Sequence, residues 1–420
     1  MARALGIIAD DFTGGLLVAG SLEAAGIASP VLFTPVAAAS APIAPVLILA
    51  TRARLLPVAE AMQIVESGAA ALDAAGCTQV AYKACASFDS TPEGNIGPAA
   101  DLLADRYGNA PVLMSAGFPA FNATVHQGYL FYRGRLVSDS IKRFDPFTPM
   151  SDPDLVRFLS LQTRSPVRLI AHAQLRQGAA VAQDALRLLL DEGARHVLLD
   201  TTDDGDVETS AGLAVASRAL VVASDPLVMA FARRLVAGLL VRADAPPRHA
   251  DGPAAVLAGS VGPVVLAQLA RFGDQHPVLT LDLLDPRSEG EVIAAALDWA
   301  RPRLGADPLA ISTATGPEGV QRAQASLGPQ GAGQKAERLL GAIAVGLRER
   351  GVRRFVVVGG ETSGAVVNAL GIEQVRALPE GPLGSGFCVT AGPVPLSLYL
   401  KPGKLGADDI LLQAVAAMQP

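Results

Sequence analysis

Ten apolar runs of five or six residues punctuate the chain, and between them the apolar positions switch to helical spacing. This alternation is the strongest constraint in the sequence. A short run that is apolar throughout reads as a strand buried on both faces, and a helix following it returns the chain to lay down a parallel neighbour. The first series is LGIIA (5–9), VLILA (46–50), QVAYK (79–83), PVLMSA (111–116), HVLLD (196–200) and LVVAS (220–224). The second is AAVLAG (254–259), VLTLDL (278–283), LAIST (309–313) and FVVVGG (355–360). Helices are expected over 57–75 and 334–349; in the latter, Leu339, Leu340, Ile343 and Leu347 share one face. The polar, proline-rich VRADAPPRHADGP at 241–253 divides the two series and reads as a linker. The expected architecture is α/β, with two domains (1–242 and 253–420), each a mostly parallel sheet flanked by helices.

Composition agrees and narrows the function. A chain of 420 residues, 50% hydrophobic and 18% charged, suits two domains with large cores. A net charge of −6 without a basic stripe argues against a nucleic-acid surface. The most apolar region, 211–241, is interrupted by Arg218, Asp225, Arg233 and Arg234, so no membrane span is expected. The opening MARALGIIADDF lacks the pattern of a signal peptide. Cys77, Cys85 and Cys388 have no metal-ligand spacing and cannot all pair, so reduced thiols and a cytoplasmic protein are expected.

The strand ends carry the polar chemistry. In open parallel sheets, ligands bind outside the carboxyl ends of the strands. There the first series places Asp10 and Asp11, then Thr51, Arg52 and Arg54, then Lys83 with Ser87, Asp89 and Ser90, and finally Asp200. Polar residues populate any surface loop, so single members mean little. The Asp10–Asp11 pair is different, because adjacent carboxylates repel and a neutral loop does not need them.

The second series ends in glycine turns. In VVVGGETSG, Gly359 and Gly360 allow a sharp turn and close ligand approach, and the following helix offers free N–H groups to an anion. Thr362 and Ser363 can add hydroxyls; Glu361 would repel a bare phosphate, so it is expected to face a ribose hydroxyl, a hydrated metal or the backbone. VLAGSVGP (256–263) repeats the design with Ser260 between Gly259 and Gly262. YLKPGKLGADD (399–409) adds Gly403 and Gly406 with Lys401 and Lys404. One such turn is ordinary helix capping; three in one domain could surround a nucleotide. GPQGAGQKA (328–336) only approaches a P-loop, since Gln334 stands between Gly333 and Lys335, and it reads as a loop leading into the 334–349 helix. No GxGxxG follows a strand, which weakens a dehydrogenase reading.

IADDFTGG at the start, YKACASFDSTPEGNIGP (82–98), GYLF (128–131), TPM (148–150), GGETSG and LKPGKLG together resemble the four-carbon acid sugar kinases, once known as a domain of unknown function. The likeness is nearest to the 3-oxo-tetronate kinases, with threonate and erythronate kinases as siblings, and it spans essentially the whole chain. It implies an N-terminal domain that binds a short sugar acid, a C-terminal domain that binds ATP, and a 4-phosphate product. By position, Ser260, Gly359, Gly360, Glu361, Thr362 and Gly403 match the ATP contacts, and Asp10, Asp11, Arg54, Lys83 and Asp89 match the acid-binding rim.

Some segments depart from the family. Gly15, Leu16 and Leu17 follow Gly14 where Gly-Ala-Thr-Asp is usual, so a carboxylate is missing. FNAT (121–124) lacks the Arg of Asn-Gly-Arg-Thr. SDSIK (138–142), DPF (145–147), ASDPL (223–227) and KLG (404–406) replace Ser-Glu-Ser, His-Pro, Gly-Ser-Gly and Asn-Phe-Gly.

The expected mechanism is phosphoryl transfer, with the glycine turns and Lys401 or Lys404 on the polyphosphate and Mg²⁺ bridging its oxygens. Arg54 and Lys83 would pair with the acid, and Asp11 or Asp10 would take the proton of the attacking hydroxyl, with the metal ligands left open. Of the histidines only His126 lies in a matched motif. A homodimer is also expected. The rival classes are a non-catalytic protein that binds nucleotide and a small carboxylate, and a kinase for another hydroxy acid.

Overall fold

The apolar runs of the first series become strands buried from end to end. They are β1 (Leu5–Ala9), β3 (Val46–Ala50), β4 (Val80–Lys83), β5 (Val112–Ser115), β10 (His196–Leu199) and β11 (Leu220–Ala223), joined by the short β2 (Val31–Leu32) and the edge strand β9 (Val167–Ile170). A small antiparallel sheet is formed by β6 (Ala123–His126), β7 (Tyr129–Tyr132) and β8 (Arg135–Leu136). The large sheet runs β2-β3-β1-β4-β11-β5-β10-β9, with every pair parallel. The chain leaves β1 toward β2 and β3, then returns to place β4 on its other side. The crevice at the end of β1 is therefore a topological switch point.

This sheet belongs to the first of two compact units, Met1–Asp244 and Ala245–Pro420. The structure, a computed structural model, describes residues 3–108, 111–145, 148–239, 248–305, 307–379, 386–403 and 406–419. Most of the expected linker and Lys404 lie outside the described residues.

In the second unit, β12 (Ala254–Ala258), β13 (Val278–Thr280), β14 (Leu309–Ser312) and β15 (Arg354–Val358) are the expected strands. β16 (Gln374–Ala377), β17 (Phe387–Thr390) and β18 (Ser397–Lys401) complete the sheet in the order β13-β14-β12-β15-β18-β17-β16. The first five are parallel; β17 runs antiparallel to β18 and to β16. The order reverses between β12 and β15, which makes their ends the second switch point. One face of each sheet packs a hydrophobic cluster, and the alternating residues Ile7, Ile48, Leu257 and Val357 on the opposite faces are buried as well.

One expectation fails. Residues 329–336 are helix rather than loop, within a single helix Pro329–Glu349. Gly328 at φ 73° precedes it, and Pro near its first position gives up an N–H that has no partner there anyway. Burial of Ala332 and Ala336 carries the helix across Gly331 and Gly333. Among the described residues no helix is long and apolar enough to cross a membrane, and Cys77, Cys85 and Cys388 are free thiols.

Candidate functional site

At the first switch point, Ala9 of β1 is in register with Ala50 of β3 and Lys83 of β4. The residues that follow therefore leave the sheet at one level. Asp10 is buried, and both its oxygens are taken by Arg54, from Nε at 2.9 Å and from a terminal nitrogen at 3.0 Å. Arg54 also pairs with Asp11, which caps the helix Phe12–Ala24 by accepting the Gly14 N–H. Its short 3₁₀ turn is clamped by Asn95, whose amide donates to the carbonyls of Ala53 at 2.7 Å and Leu56 at 2.9 Å. Lys83 is only 2% exposed. A Cβ on Gly14 would lie 2.0 Å from its Nζ, so that glycine is what lets the ammonium in. Across from it stands Asp225, at 3.4 Å, in the first turn of the helix Asp225–Val236.

Burial and pairing oppose one another here. Burial would raise the Asp11 carboxyl, but the Arg54 and Lys83 charges and the Gly14 amide hold it below the usual range. Burial would lower Arg54 and Lys83, yet the surrounding carboxylates raise both, so both stay charged. For Asp225 burial wins and its carboxyl is raised, with Lys83 only partly offsetting it.

The loop after β4 is pinned by Phe88. Its backbone is left-handed, at φ 45°, which costs a non-glycine residue about 1–3 kcal/mol. Complete burial of the ring contributes about as much in return. On either side, Ser87 donates to Asp89 at 2.6 Å, and Lys142 pairs with the same carboxylate at 2.6 Å. Ser90 accepts from Gln162, so it staples the loop rather than facing the rim freely. Asp200 is also structural: it is buried and accepts the amides of Gln127, Gly128 and His172. His126 is exposed and meets Thr202. Nearby, His172, Asp203 and Asp206 come within metal-ligand range, but Asp203 caps a helix and Asp206 accepts from Thr202 N–H, which accounts for them.

In the second unit three turns interlock. The Gly359 N–H donates to the Lys401 carbonyl at 2.8 Å, and the Gly259 N–H to that of Val358 at 3.2 Å. A Cβ on Gly259 would meet Thr362 Oγ1 at 2.2 Å, and one on Gly403 would meet Ser260 Oγ at 2.1 Å. Gly359, at φ 118°, also needs to be glycine. Gly360 does not: nothing lies within 4 Å of its Cβ position, and it opens the helix Gly360–Ala369 toward solvent. Ser363 turns inward onto the Gly359 carbonyl, and Glu361 stands exposed in the first turn. Gly406, at φ 95°, is exposed and its carbonyl accepts from Gln268. Lys401 is 2% exposed, donates to the Pro402 carbonyl at 2.8 Å, and makes no ion pair among the described residues. Burial pushes its pKa down to about 8.

Of the residues expected at a site, the structure brings Asp10, Asp11, Arg54 and Lys83 together at one set of strand ends, places Asp89 in the loop after β4 with Ser87 and Lys142, and brings the glycine turns together at the other set. Sequence reasoning missed Asn95, Lys142 and Asp225. Asp225 follows β11 just as Asp11 follows β1, two residues past the strand end, so the same strand-end rule would have found it; Asn95 and Lys142 carry no such signal.

Family models match both units. Residues 5–231 match a sugar-binding N-terminal domain and residues 255–411 a nucleotide-binding C-terminal domain. A 3-oxo-tetronate kinase of Methylobacterium radiotolerans is 37% identical, with 100% of each chain covered. One of Burkholderia multivorans is 38% identical over 99% of this chain and 97% of its own. A crystal structure from Salmonella typhimurium LT2, carried under the name of a tRNA synthase, superposes with a TM-score of 0.83 at 29% identity, covering 98% of both chains. A Haemophilus influenzae protein gives 0.77 at 26% identity, covering 99% of this chain and 100% of its own. The chain belongs to the four-carbon acid sugar kinase family, phosphotransferases that join a sugar-binding N-terminal domain to a nucleotide-binding C-terminal domain.

Proposed function

We propose that this protein is an ATP-dependent kinase that phosphorylates the terminal hydroxyl of a four-carbon sugar acid of the 3-oxo-tetronate, threonate or erythronate type. The observation that carries the reading is Lys401, a buried ammonium without an ionic partner among the described residues, beside the interlocked turns Gly259–Ser260, Gly359–Thr362 and Gly403. A buried cation left unpaired is costly, and a polyphosphate supplies the missing charge. Glu361, the carboxylate at this helix start, would be the oxygen donor for a hydrated Mg²⁺. When bound, the ion neutralises phosphate charge.

The acid fits the first rim. Asp10 is buried and wholly engaged by Arg54, whereas the Asp11 side chain is 30% exposed and that of Arg54 23%. The exposed edge of Arg54 suits a substrate carboxylate, and Asp11 is the reachable acceptor for a hydroxyl proton. Lys83 stays charged and serves as a donor, and Ser87 and Asp89, in the loop after β4, would meet hydroxyls. The names of the relatives favour 3-oxo-tetronate. A tRNA-directed reading would want a basic surface, and the chain carries −6. Free thiols agree with a cytoplasmic location. Exposed Phe121, Ile141 and Phe144 are apolar surface that a homodimer would cover, which light scattering tests.

The test is ADP release over a panel of sugar acids and other hydroxy acids. Turnover confined to four-carbon sugar acids supports the reading. Nucleotide binding without turnover of any acid would instead make this a non-catalytic binding protein, and turnover of a different acid would redirect the substrate.

A further inference from the structure

Lys83 occupies a place where an ammonium should not rest. It is 2% exposed and lies between the first turns of two helices, Phe12–Ala24 and Asp225–Val236, whose positive ends repel a cation. Four charged groups face it: Asp10 from the end of β1, Asp11 and Asp225 from the two helices, and Arg54 from the turn after β3. Three of these are already matched. Asp10 gives both oxygens to Arg54, and Asp11 is shared between Arg54 and the Gly14 amide. Asp225 is not. Its Oδ1 is buried, receives no hydrogen bond, and has Lys83 as its sole ion-pair partner among the described residues. A residue serving only its own helix start would spend that oxygen on an N–H.

We propose that Asp225 is the positioning residue for Lys83: its carboxylate keeps the buried ammonium charged and in place, so that the ammonium's N–H groups remain available to an oxygen of the sugar acid. Asp225 then acts on the substrate only through Lys83. The proposal rests on the kinase reading above for its substrate, though not for the coupling of the two side chains.

Four proteins test it: wild type, Lys83→Met, Asp225→Asn and the double variant, assayed between about pH 6 and 10 for kcat/KM of the sugar acid and KM of ATP. Lys83→Met should lower kcat/KM for the acid about 10²-fold, and Asp225→Asn about tenfold at neutral pH. At saturating ATP, Asp225→Asn should also add an alkaline loss in kcat/KM for the acid that wild type lacks, because a buried lysine deprived of this carboxylate sheds its proton more easily. On the Lys83→Met background the Asn change should cost less than about twofold, and KM for ATP should match that of wild type at each pH. Asp225→Glu, which keeps the charge, should abolish the alkaline loss; Asp225→Ser serves as the uncharged variant if Asn does not fold. Equal losses on both backgrounds, or a wild-type pH profile in Asp225→Asn, overturn the proposal. Should wild type turn over no sugar acid, the kinase reading fails by itself. The side-chain ¹⁵N resonance of Lys83, assigned by its absence from Lys83→Met, then decides: deprotonation at lower pH in Asp225→Asn supports the coupling, and the same titration in both proteins refutes it.

Discussion

Raising the pH should loosen the nucleotide through Lys401. In the free protein, burial brings this lysine down to about 8 from an ordinary 10.5. A phosphate against the ammonium favours the charged form and should return it toward the ordinary value. The sign follows: the free protein loses the proton as pH rises through about 8, and binding must put it back. At about pH 9.5 the free lysine is mostly neutral while the bound one is mostly charged, so ADP affinity should fall about 30-fold from its value at pH 7, roughly 2 kcal/mol. Binding at about pH 9 should take up about 0.9 proton. Calorimetry in two buffers of different ionisation enthalpy, at fixed Mg²⁺, reads both quantities. Lys401→Arg should keep its affinity at high pH, and Lys401→Met should be weak and flat. Uptake below about 0.2 proton, or parallel pH profiles for wild type and Lys401→Met, would refute the reasoning.

Three further outcomes are expected. Gly360→Val should leave the melting temperature unchanged, because its Cβ meets nothing, and weaken ADP at least tenfold, about 1.4 kcal/mol, by blocking ligand approach; unchanged affinity by calorimetry counts against the site. Asn95→Ala removes the clamp on the Arg54 turn and should cost about 1–3 kcal/mol in denaturant unfolding while raising KM for the acid more than for ATP. His196 is fully buried, 3.1 Å from Asp101; burial lowers its pKa below the ordinary 6.5, with the Asp101 charge opposing that and Arg195 and Arg164 adding to it. Its folded value is the depressed one, so its contribution is present above about pH 6.5 and is lost as pH falls through the folded pKa. Denaturant melts at pH 7 and pH 5 should therefore differ less in His196→Gln than in wild type.

The ten expected strands were legible because each is a short, mostly apolar run, even where it buries Lys83 or His196, and the two switch points followed from where polar and glycine residues cluster at their ends; β2, β9, β16, β17 and β18 lie outside those runs. The hairpin β6–β8 escaped notice because its strands are short, half-exposed and turn at Gln127 and Arg133, non-glycine residues with positive φ. The helix through 328–336 was hidden by its three glycines, a case where packing of Ala332 and Ala336 overrides local propensity. Within the site, residue types were legible but their pairing was not. Arg54 and Lys83 were read as cations awaiting a substrate, whereas each already faces protein carboxylates. Which acid answers which cation depends on the depth of a side chain, and depth is set by neighbours such as Gly14 that are distant in sequence from Lys83.

The route by which β18 reaches the sheet constrains how this chain can drift. β15 is followed by the helix Gly360–Ala369, the antiparallel pair β16–β17 and a second reversal before β18 comes to lie beside it, with Lys401 paired to Val358. Side chains alternate faces along a strand, so a shift of one residue would send Lys401 to the other face and put Leu400 in its place. The connection between Thr390 and Ser397 sits at the opposite end of β18 from Lys401. An odd insertion or deletion there that is absorbed by register slippage would silence Lys401 at the other end of the strand.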